Sequence, residues 1–303
     1  MTTSLALFGD SLVDSGNIAA LASLVGENPF AGPRYAGGGN VKASDGPVLA
    51  EHIAQRLGAR ISSQERLNLV SLPLKLLTGG VNPSAQLWNY AYAGATSGLR
   101  GSRRAGIAGF PLGLRSQVQA FAESAPLRRD RDALIVAGSN DIIDQVARPR
   151  RLLRVLRSRS RADDRRLRNR LAGRIAANIE QSVDILTGQG IEETVIVGIA
   201  PLSRTPFVRG KAAALGSTLG RRLRRFVDGT ARRVNGRLDL LYNNAAVDDD
   251  VVAVDGFQVW NSVASPRFLD DVHPTSRASA RLADAVVSRI AASAELSSYG
   301  FSA

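Results

Sequence analysis

Short apolar runs alternate along this chain with longer amphipathic segments, and no other feature constrains the fold as much. Helices are predicted over 44–57, 163–188 and 211–236, and a last helix is predicted to begin near Thr275. The apolar runs are predicted to be five buried parallel strands: Ser4–Phe8, Gln86–Ala91, Asp132–Ala137, Thr194–Ile199 and Leu238–Tyr242. This alternation predicts an α/β fold of three layers, α/β/α, around a five-stranded parallel sheet.

The chain is predicted to form a single domain over residues 1–303. No internal repeat and no linker rich in proline, glycine and serine divides it, and its 44% of hydrophobic residues are enough for one sizeable core. Two insertions, 17–43 and 61–85, are long for the loops of a compact domain. Because long loops often carry function, both are candidates for a part in the site.

Several kinds of chemistry are excluded by residue types that are absent or rare. The chain has no cysteine, which excludes disulfides and thiolate catalysis, and it has only two histidines, His52 and His273. We therefore expect neither a catalytic metal nor another cofactor. No apolar run approaches the ~20 residues of a membrane-spanning helix. The apolar segment Leu5–Phe8 is too short for a secretion signal, so none is expected in the chain as given, and the compartment stays open.

The chain carries a large excess of arginine. Its net charge is +12, only three of its 39 basic residues are lysines, and arginines are densest in Arg148–Arg174 and Arg221–Arg225. Both stretches fall on the polar faces of predicted helices, where the ordinary role of charge is solvation. A positive field also favours anionic partners, so an anionic membrane surface is the alternative role for these helices. Specific binding of nucleic acid is not expected.

Four short polar motifs follow predicted strands or precede the last predicted helix. They are Gly9–Leu12, Asn89–Ala95, Gly138–Asp141 and Asp270–Thr275. Open α/β sheets bind ligands beyond the carboxyl ends of their strands, so these motifs are expected to meet at one edge of the sheet. A serine, a glycine turn, an asparagine and a histidine would then lie together, which is typical of a hydrolase.

In their order and spacing, these motifs resemble those of the GDSL family of lipases and esterases, also called SGNH hydrolases. The opening FGDSLVDSGN, the segment SDGPV, Gly198–Pro206 and the block DDVHPT are similar to the branch that contains bacterial lecithinases and plant lipases. The resemblance implies the flavodoxin-like fold of that family. It also implies hydrolysis of carboxylic esters of an esterase, lipase or phospholipase type through an acyl-enzyme, with an ester or a lipid as substrate.

The catalytic group predicted from these motifs is Ser11, His273 and Asp270. A serine hydroxyl needs a neighbouring base to take its proton, and His273 is the histidine that lies outside a predicted helix. Asp270 is predicted to accept the other imidazole N–H and so to orient the ring. Asp271 is the alternative for that orienting role. A Ser11 that only caps a helix, with His273 in a surface loop, is the non-catalytic alternative.

Attack on an ester creates an oxyanion that needs fixed hydrogen-bond donors. The predicted donors are the backbone N–H groups of Ser11 and Gly94 and the side-chain amide of Asn140. Gly94 has no side chain and would let a ligand approach its peptide group closely. Alternatively, Gly94 only makes a turn and Asn140 only caps a helix. The remaining polar residues of these motifs are predicted to hold loops: Asp10, Asp14, Asn17 and Asp141.

Two alternatives to hydrolysis stay open. An acyltransferase of the same fold would pass the acyl group to an alcohol in place of water, and an inactive domain would bind polyanions through its arginines. The intact Ser11, Asn140 and His273 argue against the inactive domain. The candidate walls of an acyl or alcohol pocket are Phe257, Trp260, Leu67–Leu77 and Ile107–Leu114.

Overall fold

The computed structural model describes residues 5–56, 61–62, 87–124, 132–158, 160–243, 250–263 and 267–292. Within these ranges the strands are β1 Leu5–Gly9, β2 Ile61–Ser62, β3 Leu87–Asn89, β4 Asp132–Val136, β5 Glu193–Val197 and β6 Val251–Val254. They form one parallel sheet in the order β2-β3-β1-β4-β5-β6. The three central strands β1, β4 and β5 are buried along their whole length, as expected of a parallel sheet that is covered on both faces.

Helices cover both faces of the sheet. Their bounds are α1 Asn17–Ser23, α2 Leu49–Arg56, α3 Leu114–Ser124, α4 Ser139–Ala147, α5 Pro149–Arg157, α6 Arg161–Gly188, α7 Pro206–Ala214, α8 Gly216–Tyr242, α9 Gly256–Asn261 and α10 Ser276–Ala292. Ala6 and Phe8 of β1 pack into the core beneath α3, α4, α6 and α8, while Leu5 and Leu7 pack into the core beneath α2 and α10. The predicted three-layer α/β/α fold is therefore confirmed.

The fifth predicted strand is wrong. Leu238–Tyr242 is the end of α8, and β6 at Val251–Val254 occupies the expected place in the sheet. Val234 and Leu238 are buried four residues apart, while Leu240 is exposed, so the helical stripe of α8 continues through this run. A short apolar run does not by itself distinguish a strand from a helix. The two-residue strand β2 also makes the sheet one strand larger than the predicted five.

Two predicted helices have different bounds in the structure. The helix predicted over 44–57 begins at Leu49, after a loop that contains Pro47, and proline disfavours helical geometry in the residue before it. The helix predicted over 211–236 is two helices, α7 and α8. Gly216, at the junction, has a left-handed φ of 75°, a geometry that commonly ends a helix.

Among the described residues, no helix is both long and apolar enough to span a bilayer.

The long helix α8 projects beyond the carboxyl edge of the sheet. Asn235 exchanges hydrogen bonds with the backbone of Ile199, just past the end of β5. Two turns earlier, Asp228 accepts hydrogen bonds from Ser203, still further from the sheet. The part of α8 that precedes Asp228 therefore stands beyond the edge at which the strands end, and α7 packs against it.

Candidate active site

Ser11, His273 and Asp270 form a hydrogen-bonded chain beyond the carboxyl ends of the strands. The Oγ atom of Ser11 is 2.8 Å from Nε2 of His273, although 262 positions separate the two residues in sequence. The Nδ1 atom of the same ring is 2.6 Å from Oδ2 of Asp270. Both distances are within the range required for proton transfer and ring orientation. The structure thus brings together the three residues predicted as the catalytic group.

Ser11 lies in a tight turn at the end of β1. Gly9 has a φ of 151°, and a Cβ atom at this position would lie 2.2 Å from the carbonyl oxygen of Val136, so only glycine allows β1 to approach β4 this closely. The carbonyl of Asp10 accepts hydrogen bonds from the backbone N–H groups of Val13 and Asp14 and closes the turn. The side chain of Ser11 is consequently left partly exposed at the sheet edge.

Asp270 and His273 lie in a short loop, residues 268–274, which we call the histidine loop. The backbone N–H of Leu269 donates to the carbonyl of His273 at 2.8 Å and closes this loop. Oδ1 of Asp270 accepts hydrogen bonds from the backbone N–H groups of Val272 and His273, each at 2.8 Å. The neighbouring Asp271 has a side chain that is 69% exposed, and it lies 3.8 Å from the guanidinium of Arg104. The geometry therefore favours Asp270 over Asp271 as the partner of the imidazole.

The carboxyl of Asp270 is held in its charged form. Burial alone would raise its pKa, but the hydrogen bond and the charge of His273, together with two backbone N–H groups, hold that pKa well below its usual range. A permanently ionised carboxylate beside Nδ1 fixes the tautomer in which Nε2 faces Ser11. It also stabilises the imidazolium that forms when the ring takes a proton.

Asn140 contacts the residue that follows Gly94, and these two residues are the other predicted oxyanion donors. Gly94 has a φ of 84°, and a Cβ atom there would lie 2.8 Å from the side chain of Ala105, so the position requires glycine. Asn140 lies in the first turn of α4 but does not cap it, because its amide donates to the carbonyl of Ala95 at 2.9 Å. One N–H of that amide remains available. Within the described part of the chain, the backbone N–H groups of Ser11 and Gly94 make no hydrogen bond.

Buried aspartates hold the loop that carries Gly94, residues 92–104, which we call the glycine loop. They accept its backbone N–H groups, Asp14 from Ala93 at 2.6 Å, Asp141 from Ser97 at 2.7 Å, and Asp144 from Arg103 and Arg104 at 3.0 Å each. Burial raises the pKa of Asp14 to about 6 against the backbone hydrogen bonds that lower it, and burial also raises the pKa of Asp141. The predicted loop-holding role of these two residues agrees with their contacts.

Asp10 and Asn17 also hold backbone, as predicted, and two further residues were not predicted at all. Asp10 accepts the N–H of Leu12, and the amide of Asn17 donates to two carbonyls at the end of β3. Asp144 was missed, although its spacing of three from Asp141 places both on one helix face. Tyr35 was missed as well, and its hydroxyl donates to Oδ2 of Asp270 at 2.7 Å.

A pocket opens beside Ser11 and His273. Its apolar walls are Ile143, Ala200, Pro201, Leu202, Trp260 and Val272, and Asn140 and Asp10 contribute polar atoms. Trp260 is therefore a wall, as predicted, whereas Phe257, Gly94 and Ile107–Leu114 are not among the lining residues. The candidate wall Leu67–Leu77 lies outside the described residues.

Burial raises the pKa of Asp10, at the same pocket, to about 6. The hydrogen bond from the backbone of Leu12 and the charge of His273 oppose this rise.

Arginine side chains lie near this pocket. The guanidinium of Arg104 lies 4.5 Å above the ring of Phe207, whose backbone N–H donates to the carbonyl of Asp271. On the projecting part of α8, Arg222 donates to the carbonyls of Leu156 and Ser158, while three neighbours are exposed: Arg221, Arg224 and Arg225. Cationic side chains thus lie at the carboxyl edge of the sheet, the edge that also carries Ser11.

No group of three or more His, Cys, Asp and Glu residues within the described ranges is arranged to hold a metal ion.

Residues 5–286 match the family described as GDSL-like Lipase/Acylhydrolase. The chain belongs to this GDSL family. The match spans all the residues of the candidate site, and it supports the hydrolysis of esters as the general activity of this GDSL hydrolase. No curated protein matches the chain significantly.

Solved structures resemble this GDSL hydrolase over almost its whole length. Est24, a carbohydrate acetylesterase from Sinorhizobium meliloti, is 15% identical with a TM-score of 0.47, and the match covers 96% of this chain and 99% of that chain. LAE5, an alpha/beta hydrolase enzyme from the metagenome of Lake Arreo in Spain, is 14% identical with a TM-score of 0.37, covering 97% and 96%. Likenesses this distant carry no argument about substrate.

Proposed function

We propose that this GDSL hydrolase cleaves carboxylic esters through an acyl-enzyme on Ser11. The observation that carries the proposal is the hydrogen-bonded chain from Ser11 through His273 to Asp270, at 2.8 Å and 2.6 Å. As Oγ attacks the ester carbonyl carbon, Nε2 takes the hydroxyl proton and then gives it to the departing alkoxide. In the second half of the reaction, Nε2 takes a proton from water as the water oxygen attacks the acyl carbon. The bond between that carbon and Oγ then breaks, Nε2 returns the proton to Oγ, and the carboxylic acid leaves.

The oxyanion of both tetrahedral intermediates would be bound by three donors. These are the backbone N–H groups of Ser11 and Gly94 and the free N–H of the Asn140 amide. The support for this assignment is that none of the three N–H groups has a hydrogen bond within the described part of the chain. Ser11 and Asn140 also line the same pocket, and the amide of Asn140 donates to the carbonyl of Ala95, the residue after Gly94. Donors that are fixed before the reaction need no reorganisation when charge develops.

The test is Ser11→Ala, with Ser23→Ala as the control because Ser23 is an exposed serine of α1. Hydrolysis of p-nitrophenyl butyrate should fall by about 10⁴-fold or more in Ser11→Ala, since no other group replaces the nucleophile. It should stay unchanged in Ser23→Ala. A serine-directed phosphonate should label the wild type at Ser11, as located by mass spectrometry of peptides. Substantial turnover by a folded Ser11→Ala protein would contradict the proposal.

For the natural substrate, we propose a lipid ester presented at an anionic membrane surface. The support comes from exposed cationic side chains and from exposed large apolar side chains. The exposed arginines of α8 stand beyond the sheet edge that carries Ser11, and two large apolar side chains after β3, Leu99 and Phe110, are 44% and 54% exposed. Cationic groups with exposed apolar anchors favour the interface of an anionic bilayer.

This lipid proposal predicts a dependence on salt that differs between substrates. Hydrolysis of an ester lipid in anionic vesicles should fall as salt rises from about 0.05 to 0.5 M, because screening shortens the reach of the positive field. Turnover of soluble p-nitrophenyl butyrate should stay flat. Replacing Arg221, Arg224 and Arg225 with Gln should reproduce the selective loss, whereas the exposed Arg237 and Arg281, replaced with Gln, serve as the control. An equal response of both substrates would reduce these arginines to solvated helix surface.

A further inference from the structure

We propose that Tyr35 is a positioning residue that holds Asp270 in place for His273, a proposal that rests on the proposed reaction at Ser11. Its hydroxyl donates to Oδ2 of Asp270 at 2.7 Å. That oxygen is also the one that lies 2.6 Å from Nδ1 of His273. A residue of the insertion 17–43, 235 positions away in sequence, thus contacts the charged end of the catalytic chain.

With Tyr35 in place, both oxygens of Asp270 have two hydrogen-bond donors. Oδ1 accepts from the backbone N–H groups of Val272 and His273, and Oδ2 accepts from the phenol and faces the imidazole. Donors on both oxygens resist rotation of the carboxylate and keep Oδ2 within hydrogen-bond distance of the imidazole of His273. Without the phenol, the imidazole would be the single side-chain partner of Oδ2 within the described residues, and the carboxylate would have more freedom to turn.

The position of Tyr35 is fixed independently of Asp270. The residue lies in a 3-10 helix, Pro33–Gly38, whose Gly37 packs directly on the backbone of Asp45, where a Cβ atom would come within 2.0 Å of the carbonyl oxygen. The ring of Tyr35 packs edge-on against Phe30, with 5.4 Å between ring centroids. Both rings belong to a small apolar cluster that the insertion shares with the glycine loop. The hydroxyl is therefore presented to Asp270 by packing that already exists.

The phenol also stays a donor under all working conditions. Burial and the hydrogen bond to Asp270 raise the pKa of Tyr35 to about 12, so the hydroxyl keeps its proton wherever the hydrolase is active. Neither Tyr35 nor Asp270 lines the pocket beside Ser11. A loss of the hydroxyl should for this reason affect the chemical step, through the orientation of His273, and leave substrate binding almost unchanged.

The experiment compares Tyr35→Phe with Tyr35→Leu. Tyr35→Phe keeps the ring on Phe30 and loses only the hydroxyl, so kcat should fall by about 5- to 20-fold while KM changes by less than about twofold. The melting temperature of Tyr35→Phe should stay close to that of the wild type. Tyr35→Leu also loses the ring, so it should show a similar loss in kcat with a lower melting temperature. If the role is only structural, Tyr35→Phe will behave as the wild type and Tyr35→Leu alone will lose activity.

Two further readouts separate positioning from folding. The proton between Nδ1 of His273 and Asp270 should give a far-downfield ¹H resonance that moves in Tyr35→Phe, because Oδ2 has lost its second donor. In an Asp270→Ala background, Tyr35→Phe should cause no further loss in kcat. An unshifted resonance, or the same loss with and without Asp270, overturns the proposal. If Ser11→Ala is inactive while Tyr35→Phe is fully active, this inference fails alone, whereas an active Ser11→Ala removes the proposed reaction itself.

Discussion

Buried or half-buried aspartates hold both the glycine loop and the histidine loop, but the pKa values of Asp14 and Asp270 are shifted in opposite directions. Within the described residues, Asp14 accepts hydrogen bonds only from backbone amides, and burial raises its pKa to about 6. Asp270 is also penalised by burial, yet His273 and two backbone amides hold its pKa well below the usual range. Backbone amides lower the pKa of both carboxyl groups, but burial outweighs them at Asp14, whereas the added imidazole outweighs burial at Asp270.

The largest effect on turnover is expected when the carboxylate of the histidine loop is replaced by an amide. Asp270→Asn should lower kcat/KM for p-nitrophenyl butyrate by about 10³–10⁴-fold, because an amide neither stabilises the imidazolium nor selects the right tautomer. The adjacent Asp271→Asn should stay within about twofold of the wild type, since Asp271 is exposed and does not contact the ring. The opposite ranking of the two variants would transfer the orienting role to Asp271.

A smaller loss is expected at the asparagine that contacts the glycine loop. Asn140→Ala should reduce kcat by about 10²–10³-fold with a much smaller change in KM, because its free N–H is needed chiefly when charge develops on the oxyanion. Steady-state kinetics on p-nitrophenyl esters measure both constants. If KM rises while kcat holds, Asn140 binds the ground-state substrate and the donor assignment is incorrect.

The next variant tests Asp14, which holds the backbone of the glycine loop. Asp14→Ala removes the acceptor of Ala93 and of the first turn of α1, so the free energy of unfolding should fall by about 2–4 kcal/mol. The folded fraction should lose about tenfold in kcat, because Gly94 follows Ala93 directly and its N–H would be less well fixed. Urea unfolding and kinetics at 15 °C measure the two effects, with about 15 °C chosen to keep the variant folded. Full activity in a destabilised protein would show that Asp14 supports the fold alone.

The smallest effect on turnover is expected from a carboxyl group outside both loops. Glu193 is buried at the start of β5, next to Asp132 of β4, and burial together with Asp132 and Asp250 raises its pKa to about 7. Its folded pKa lies above the ordinary 4.5, so the stability linked to its proton is complete below about 4.5 and is lost as pH rises through about 7. Glu193→Gln should therefore raise the free energy of unfolding by about 1–3 kcal/mol at pH 8, much less at pH 5, with unchanged kcat.

The sheet and the proximity of Ser11, His273 and Asp270 could be predicted from the sequence, because both follow from short-range patterns. Parallel strands end at one edge, so a motif after β1 and another before α10 are expected to meet there, as Ser11 and His273 do. The strand predicted at Leu238–Tyr242 was wrong because a run of that length fits helix and strand equally well. Tyr35 could not be predicted at all. It lies in an insertion without periodicity, and its contact with Asp270 depends on packing between segments that are distant in sequence.

The distance in sequence between Ser11 and His273 has a consequence for how the protein becomes active during synthesis. The strand before Ser11 lies in the middle of the sheet, between β3 and β4, while His273 comes just before α10. A nascent chain that ends before the histidine loop would contain Ser11 without the imidazole that hydrogen-bonds to its hydroxyl. Contacts between such distant segments form late and slowly, so the hydrogen bond between Ser11 and His273 is expected to form only when folding is nearly complete. Under the proposed mechanism, a growing chain would therefore lack its base until the histidine loop had been synthesised.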